Sequence, residues 1–176
     1  MSNVIRAAFG ASGGRLRSIE DCRAAAHDLF CRAGSIDEDV ARRGEAMTLY
    51  REAIALDPQH ALAHTNLGNL HYFRGEIRDA RSMYTHAIEL EPKQPEALYN
   101  MAYLIMETSF SPDRYTRAIE LFQRAIASRP YFADAHYNLA WAFEQVGDRE
   151  NALVHWKRNL QLDPDGEYAL MARSHL

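Results

Sequence analysis

Apolar residues recur along this chain at helical spacing, never in strict alternation. His64, Leu67, Gly68 and His71 stand at i, i+3, i+4 and i+7, and His136, Leu139, Ala140 and Phe143 repeat the stripe. At 3.6 residues per turn such positions share one face of an amphipathic helix. Gly75-Glu76 and Gly147-Asp148 then break the pattern. A second helical run follows each break, through Ala80-Tyr84-Ala87-Ile88 and Ala152-Trp156-Leu160, and ends at Pro92 or Pro164. Proline stops a helix because it lacks an N–H and crowds the residue before it.

Aligning the chain from Ala61, Pro95 and Ala133 exposes a repeat. Asn66, Asn100 and Asn138 fall together, as do Leu67-Gly68, Met101-Ala102 and Leu139-Ala140. Ala80, Ala118 and Ala152 follow, then Tyr84, Phe122 and Trp156, then Ala87, Ala125 and Asn159, and each unit closes on Pro92, Pro130 or Pro164. The middle unit is longer around "TSFSPDR", where Ser111-Pro112-Asp113 predicts a helix cap, a first-turn proline and an acid at the positive end of the helix dipole. Upstream, Ala46, Tyr50, Ala53 and Pro58 fit the second half of the pattern. A helix over Ser18–Ala33, capped by Ser18 with Glu20 and Asp21 in its first turn, would supply the first half. The connection "GSIDEDVARRGE" is long for a helical hairpin, so this terminal unit is atypical. After Pro164, "DGEYALMARSHL" predicts a final helix over about 166–176 that covers the last apolar face. The expected fold is all-α: antiparallel helix pairs in units of about 18–60, 61–94, 95–132 and 133–166.

This pattern resembles the tetratricopeptide repeat, which carries small residues at its eighth, twentieth and twenty-seventh positions. The matching residues are Gly68, Ala102 and Ala140; Ala46, Ala80, Ala118 and Ala152; and Ala53, Ala87 and Ala125, with Asn159 departing from the last set. The resemblance implies a right-handed α-solenoid whose first helices line a groove that holds peptides or partner helices. More narrowly, the runs beginning "AMTLYREAIALDPQH" and "YFADAHYNLAWAFEQ" are similar to repeat domains that some bacterial regulators carry behind a MerR-like helix-turn-helix. No such DNA-reading domain is present in this sequence, so a regulatory role would require a separate DNA-binding partner.

Opposite the packing stripe, a solvated helix face should be charged. Here it carries Asn66, Asn69 and Tyr72 in one unit, Tyr99, Asn100 and Tyr103 in the next, and Tyr137, Asn138 and Trp141 in the last. Thr65, Phe73, Met106, Glu144 and Gln145 fall on the same faces. Tyrosine and tryptophan contribute large contact areas with few rotatable bonds, and asparagine offers both a donor and an acceptor to an extended backbone. These nine residues are the candidate partner-binding set. The alternative is that the aromatics fill seams between neighbouring first helices and the asparagines fix repeat geometry. In the family resembled, chaperone-binding members clamp a terminal carboxylate with Lys or Arg at the fifth and sixth positions. Those positions here are Thr65-Asn66, Tyr99-Asn100 and Tyr137-Asn138, so no carboxylate clamp is expected. With Glu96, Glu107, Asp134 and Glu144 nearby, the expected ligand is a neutral to basic, partly apolar segment.

Composition narrows the remaining classes. A net charge of −4 does not advertise nucleic-acid binding. Of the eight histidines, His64, His71 and His136 hold packing positions and His60 follows Pro58 in a turn. No cysteine pair has zinc spacing, no glycine-rich phosphate loop occurs, and no Ser or Cys has a nucleophile signature. The expectation is therefore a non-catalytic protein with no cofactor and no metal. Cys22 and Cys31 lie in one predicted helix and cannot bridge; free thiols fit a reducing, cytoplasmic setting. No apolar run is long enough to span a bilayer. Residues 1–17 contain Arg6, Arg15 and Arg17 and no acid. They are expected to form a flexible basic tail or linker, with a transit peptide or an arm on DNA or a membrane surface as alternatives. Self-assembly, through repeat stacking or exchange of the irregular first unit, is an alternative function.

Overall fold

The computed structural model describes residues 18–176, and helices and turns account for its regular structure there. The tail expected over 1–17 lies outside the described residues. The chain divides into two compact bodies, one through Leu90 and one from Glu91 to Leu176. The first contains α1 (Ile19–Gly34), a 3-10 turn (Val40–Arg42), α2 (Arg43–Leu56), α3 (Ala61–Phe73) and α4 (Ile77–Leu90). The second contains α5 (Pro95–Thr108), α6 (Arg114–Ser128), α7 (Ala133–Gln145), α8 (Arg149–Leu162) and α9 (Ala169–Ser174). Neighbours in sequence pair in space: α1 with α2 and α3 with α4 in the first body, α5 with α6 and α7 with α8 in the second. Contacts of α2 with α3, and of α6 with α7, join the pairs, and α9 packs on α8.

Local chemistry sets the helix ends. Ser18 Oγ accepts the Asp21 N–H at 3.0 Å, with Glu20 and Asp21 in the first turn of α1. Asp148 caps α8 by accepting the Asn151 N–H at 3.1 Å. Gly75 and Gly147 hold φ of 73° and 80° just beyond α3 and α7. There the Glu76 N–H donates to His71 C=O and the Asp148 N–H to Phe143 C=O, each at 2.9 Å. This six-to-one closure needs a left-handed residue, the conformation glycine adopts without a Cβ penalty. The middle unit turns differently. Ser111 Oγ bonds the Asp113 carboxylate, the Arg114 N–H donates to Ser111 C=O, and α6 begins only at Arg114. Pro112 therefore sits in the turn ahead of the helix rather than in its first turn.

Small residues let the paired helices close. A Cβ added to Gly68 would stand 2.6 Å from Cε1 and 2.8 Å from Cδ1 of Tyr84. Ala102 and Ala140 are fully buried in one apolar cluster with Phe122 and Trp156. Tyr50 fills the equivalent position in the first body, among Ala46, Ala53 and Met47. Asn159, the departure from the alanine set, is only 2% exposed, and its Nδ2 donates to Ala133 C=O at 3.0 Å. The larger side chain thus ties α8 to the start of α7. The terminal helix is shorter than the sequence suggests, running over Ala169–Ser174 after a turn.

Candidate partner-binding face

The first helix of each pair presents one face to its second helix and another away from it. In the first body the outward face of α3 carries Asn66, Asn69 and Tyr72, all half-buried. Asn66 Nδ2 donates to Tyr50 Oη at 2.9 Å, and Tyr50 Oη donates to Asp37 Oδ2 at 2.6 Å. Burial first, then the Asp37 bond, pushes the Tyr50 phenol well above its ordinary pKa, so it stays a donor. Asn69 Oδ1 accepts from Tyr84 Oη at 2.8 Å. The Tyr72 ring packs edge-on against Phe73, which is 60% exposed. A cavity of about 360 Å³ opens over this face, lined by Asn66, Asn69 and Phe73 of α3, Asp37 and Glu38 of the loop after α1, and Arg43 of α2.

In the second body, Tyr99, Asn100, Tyr103 and Trp141 are half-buried. Tyr99 stacks near Tyr103 at 6.4 Å and packs on Phe132 at 4.8 Å and Phe122 at 5.6 Å. Its hydroxyl accepts from Asn138 Nδ2 at 2.9 Å. Burial, then the Asp134 charge, raises the Tyr99 pKa. Asp134 is itself raised, by burial first and then by Asp163 and Glu167. Tyr99, Asp134, Asp163 and Glu167 thus form an acidic and aromatic region beside the start of α7.

Two of the nine expected residues do not face outward. Tyr137 is 8% exposed and Asn138 is 6% exposed. The Tyr137 ring stacks on Tyr168 at 4.4 Å and meets Trp156 edge-on at 5.0 Å, and its hydroxyl approaches Met171 Sδ at 3.5 Å. The segment after Pro164 therefore covers it. Asn138 donates to both Tyr99 Oη and Asp134 C=O, so its amide works inside the second body, linking α7 to α5. Thr65 and Met106, placed on the outward faces from spacing alone, are buried as well. Thr65 Oγ1 donates back to Ala61 C=O at 3.2 Å.

The histidines take structural roles. His64 Nε2 bonds Pro58 C=O at 3.2 Å, and His136 Nε2 bonds Pro130 C=O at 3.2 Å, one geometry in two units. His136 Nδ1 also meets His155 Nδ1 at 2.9 Å. Burial lowers the pKa of His64 and His136, and burial followed by the His136 contact takes His155 down to about 4. His71, Glu76 and Asp79 bring potential metal ligands within 4.8 Å of one another. Glu76 is already engaged there, by His71 Nδ1 at 2.5 Å and Arg74 Nε at 3.0 Å. Glu144 bridges Trp156 Nε1 at 3.0 Å and His175 Nδ1 at 2.9 Å. Sequence spacing put Glu144 on the partner face but gave no sign of this bridge. It gave none for Asp37 and Glu38 either, because they lie in the irregular connection where the repeat register is lost.

The tetratricopeptide repeat family matches residues 65–108 and 113–167, and a related TPR repeat matches residues 44–75. Human tetratricopeptide repeat protein 6 is 28% identical over 75 residues, which is 43% of this chain and 14% of that protein. This chain spans only 14%, 12% and 6% of the length of three curated relatives. Among solved structures, TTC0263, a thermophilic TPR protein of Thermus thermophilus, superposes with a TM-score of 0.67 at 18% identity, covering 86% of this chain and 79% of that one. The first TPR of Spaghetti (RPAP3), bound to the HSP90 peptide SRMEEVD, superposes with a TM-score of 0.59 at 22% identity, covering 66% of this chain and 93% of that one. These likenesses bear on the repeat fold and not on the narrower similarity to domains behind a MerR-like helix-turn-helix.

Proposed function

The chain belongs to the tetratricopeptide repeat family, and from that premise we propose that it is a non-catalytic protein-interaction module. Its first-helix faces receive a peptide segment or helix that is neutral to basic and partly apolar. The observation that carries this reading is how charge is divided among the helices. Helices α3, α5 and α7 contain no Lys or Arg, and their acids are Glu96, Glu107, Asp134 and Glu144. The second helices hold the bases, among them Arg78 and Arg81 in α4, Arg117 and Arg124 in α6, and Lys157 and Arg158 in α8. Glu96 pairs with Arg129, and Glu144 is held by Trp156 and His175. Asp134 remains beside half-exposed Tyr99, and exposed Glu107 stands one helical turn beyond Tyr103 on α5. Burial first, and then Asp163 and Glu167, raise the Asp134 pKa, and a base on a partner would offset the second of these causes.

The RPAP3 domain holds a peptide ending in acidic residues, whereas Thr65-Asn66, Tyr99-Asn100 and Tyr137-Asn138 offer no base for such a terminus. The ligand chemistry proposed here is therefore the opposite one. Tyr137 and Asn138 act behind the face, by setting the positions of Tyr168 and Tyr99 rather than by touching the partner. The test is affinity purification of the parent and of a Tyr103→Ala/Trp141→Ala variant shown to be folded. Exposed aromatic anchors contribute enough that the double variant should retain about a tenth of the partner or less. Equal retention by the two proteins would remove this face from consideration.

A further inference from the structure

Among the described residues, His71, Glu76 and Asp79 bring three metal-ligating side chains together, with ligand atoms that all lie within 4.8 Å of one another. Their spacing follows no zinc motif, and the turn at Gly75 explains how they meet. Its left-handed residue lets the Glu76 N–H bond back to His71 C=O at 2.9 Å, which brings the Glu76 carboxylate onto the His71 ring. Asp79 follows three residues later, in the first turn of α4, on the side of the helix start that Glu76 occupies. The turn does not need these side chains. The same closure at Gly147 places Phe143, Asp148 and Asn151 in the equivalent positions, and there Asp148 caps its helix through the Asn151 N–H and side-chain amide. In the first body a histidine only 8% exposed stands in place of that phenylalanine. Asp79, exposed and in no ion pair among the described residues, stands in place of that asparagine.

We propose that this turn binds a divalent transition-metal ion of the zinc class, held by His71 Nδ1 and by one carboxylate oxygen each from Glu76 and Asp79. The proposal departs from the metal-free expectation read from the sequence, where these three residues had no reason to be grouped. One imidazole with two carboxylates suits such an ion, whereas Mg²⁺ and Ca²⁺ take oxygen ligands. His71 Nδ1 faces Glu76 Oε2 at 2.5 Å, and an ionised carboxylate only accepts, so that nitrogen is the donor. The ion takes the place of the shared proton, which leaves to solvent, and Oε2 changes from hydrogen-bond acceptor to ligand. Arg74 Nε occupies the other oxygen, Oε1, at 3.0 Å and is more than half exposed. Arg74 and Arg51 both act on the Glu76 charge, so they weaken the hold on the ion without occupying Oε2. Tetrahedral zinc sets its ligand atoms about 3.3 Å apart. The group must therefore contract, and exposed Asp79 supplies the movement by a change of rotamer. Water fills the remaining position, and the bound ion ties the end of α3 to the start of α4.

The test titrates Zn²⁺ into the full chain, stripped of metal beforehand, against a chromogenic chelator that reports the free ion. The parent should take up Zn²⁺ at this turn. Asp79→Asn leaves an exposed position that holds no ion pair, so it keeps the fold, and it should weaken uptake about tenfold or more. His71→Phe copies the residue that Phe143 supplies in the last unit, and it should abolish uptake at the turn. His27→Ala/Cys31→Ala removes the exposed thiol and imidazole of α1, whose Sγ and Nε2 lie 3.6 Å apart, and should leave uptake at the parental level. With Co²⁺ in place of Zn²⁺, the visible spectrum of the parent should lack a thiolate charge-transfer band, since no sulfur takes part. Absence of uptake by the parent would overturn the proposal, as would uptake that Asp79→Asn and His71→Phe leave unchanged. Displacement of the bound ion by excess Mg²⁺ would overturn the role given to the imidazole. Loss of uptake with His27→Ala/Cys31→Ala would move the site to α1 and overturn it likewise. None of these substitutions touches Tyr103 or Trp141 in the second body, so the purification experiment on those residues fails or succeeds independently.

Discussion

Gly68 has no room for a side chain. Its added Cβ would press into the Tyr84 ring, which is 2% exposed and hydrogen-bonded through its hydroxyl to Asn69. The helix-propensity gain of alanine, about 1 kcal/mol at most, is outweighed by overpacking, which costs about 1–3 kcal/mol. Gly68→Ala should therefore lower stability in urea unfolding, the reverse of what an exposed helical glycine would show. The buried histidines give a second residue-level expectation. His64, His136 and His155 have pKa values below the ordinary 6.5, with His155 near 4. The unfolded chain then binds more protons than the folded one between about pH 6.5 and pH 4, so stability is complete above that window and falls as pH drops through it. Position 98 of the middle unit shows how the dependence could be reduced, because fully buried Leu98 occupies the place of His136. His136→Leu should flatten the fall in melting temperature across the window, and an unchanged slope would mean that His155 or the first-body histidines control it. Spacing alone placed His64 and His136, but not His155, at packing positions. Their bonds to the Pro58 and Pro130 carbonyls were beyond it, since the acceptors belong to the turn of the preceding unit.

At the scale of elements, the helix boundaries follow from short-range chemistry and were largely readable. Ser18 caps α1 as its position beside Glu20 and Asp21 suggests, and Ser18→Ala should cost about 1 kcal/mol, measurable as a shift in the urea midpoint at constant slope. Gly75 and Gly147 stand at the expected breaks after the apolar stripes, and the structure closes α3 and α7 there in the left-handed conformation. The middle unit was harder to read because Ser111, Pro112 and Asp113 are all acceptable at a helix start. Hydrogen bonding among Ser109, Ser111 and Asp113 instead builds a turn, and the helix waits until Arg114. Tyr137 and Asn138 show the main limit of single-helix periodicity. It tells which side of α7 faces away from α8, but not that Tyr168 and Met171 cover one residue. Nor does it tell that Tyr99 draws in the amide of the other. Both depend on neighbours outside the helix being read.

For the molecule as a whole, the repeat determines where charge is tolerated. The second helices carry the arginines and lysines, while the first helices α3, α5 and α7 keep to amides, aromatics and a few acids; α1, in the irregular first unit, departs by carrying Arg23 and Arg32. That division is visible in the sequence once the units are aligned, and it supports the partner-binding reading in both bodies without relying on any single residue. The cavity acids Asp37 and Glu38 were not visible in this way, because the first unit departs from the repeat where they lie. The central claim is that binding resides on the first-helix face and not on the fold at large. Its most direct test is quantitative affinity purification of three folded proteins: the parent, Glu107→Lys/Asp134→Lys on α5 and α7, and Arg117→Glu/Arg124→Glu on α6. The account predicts that reversing the acids releases the partner and that reversing the α6 arginines leaves capture at the parental level. Loss of capture with the α6 variant, and retention with the acid-reversed one, would contradict it.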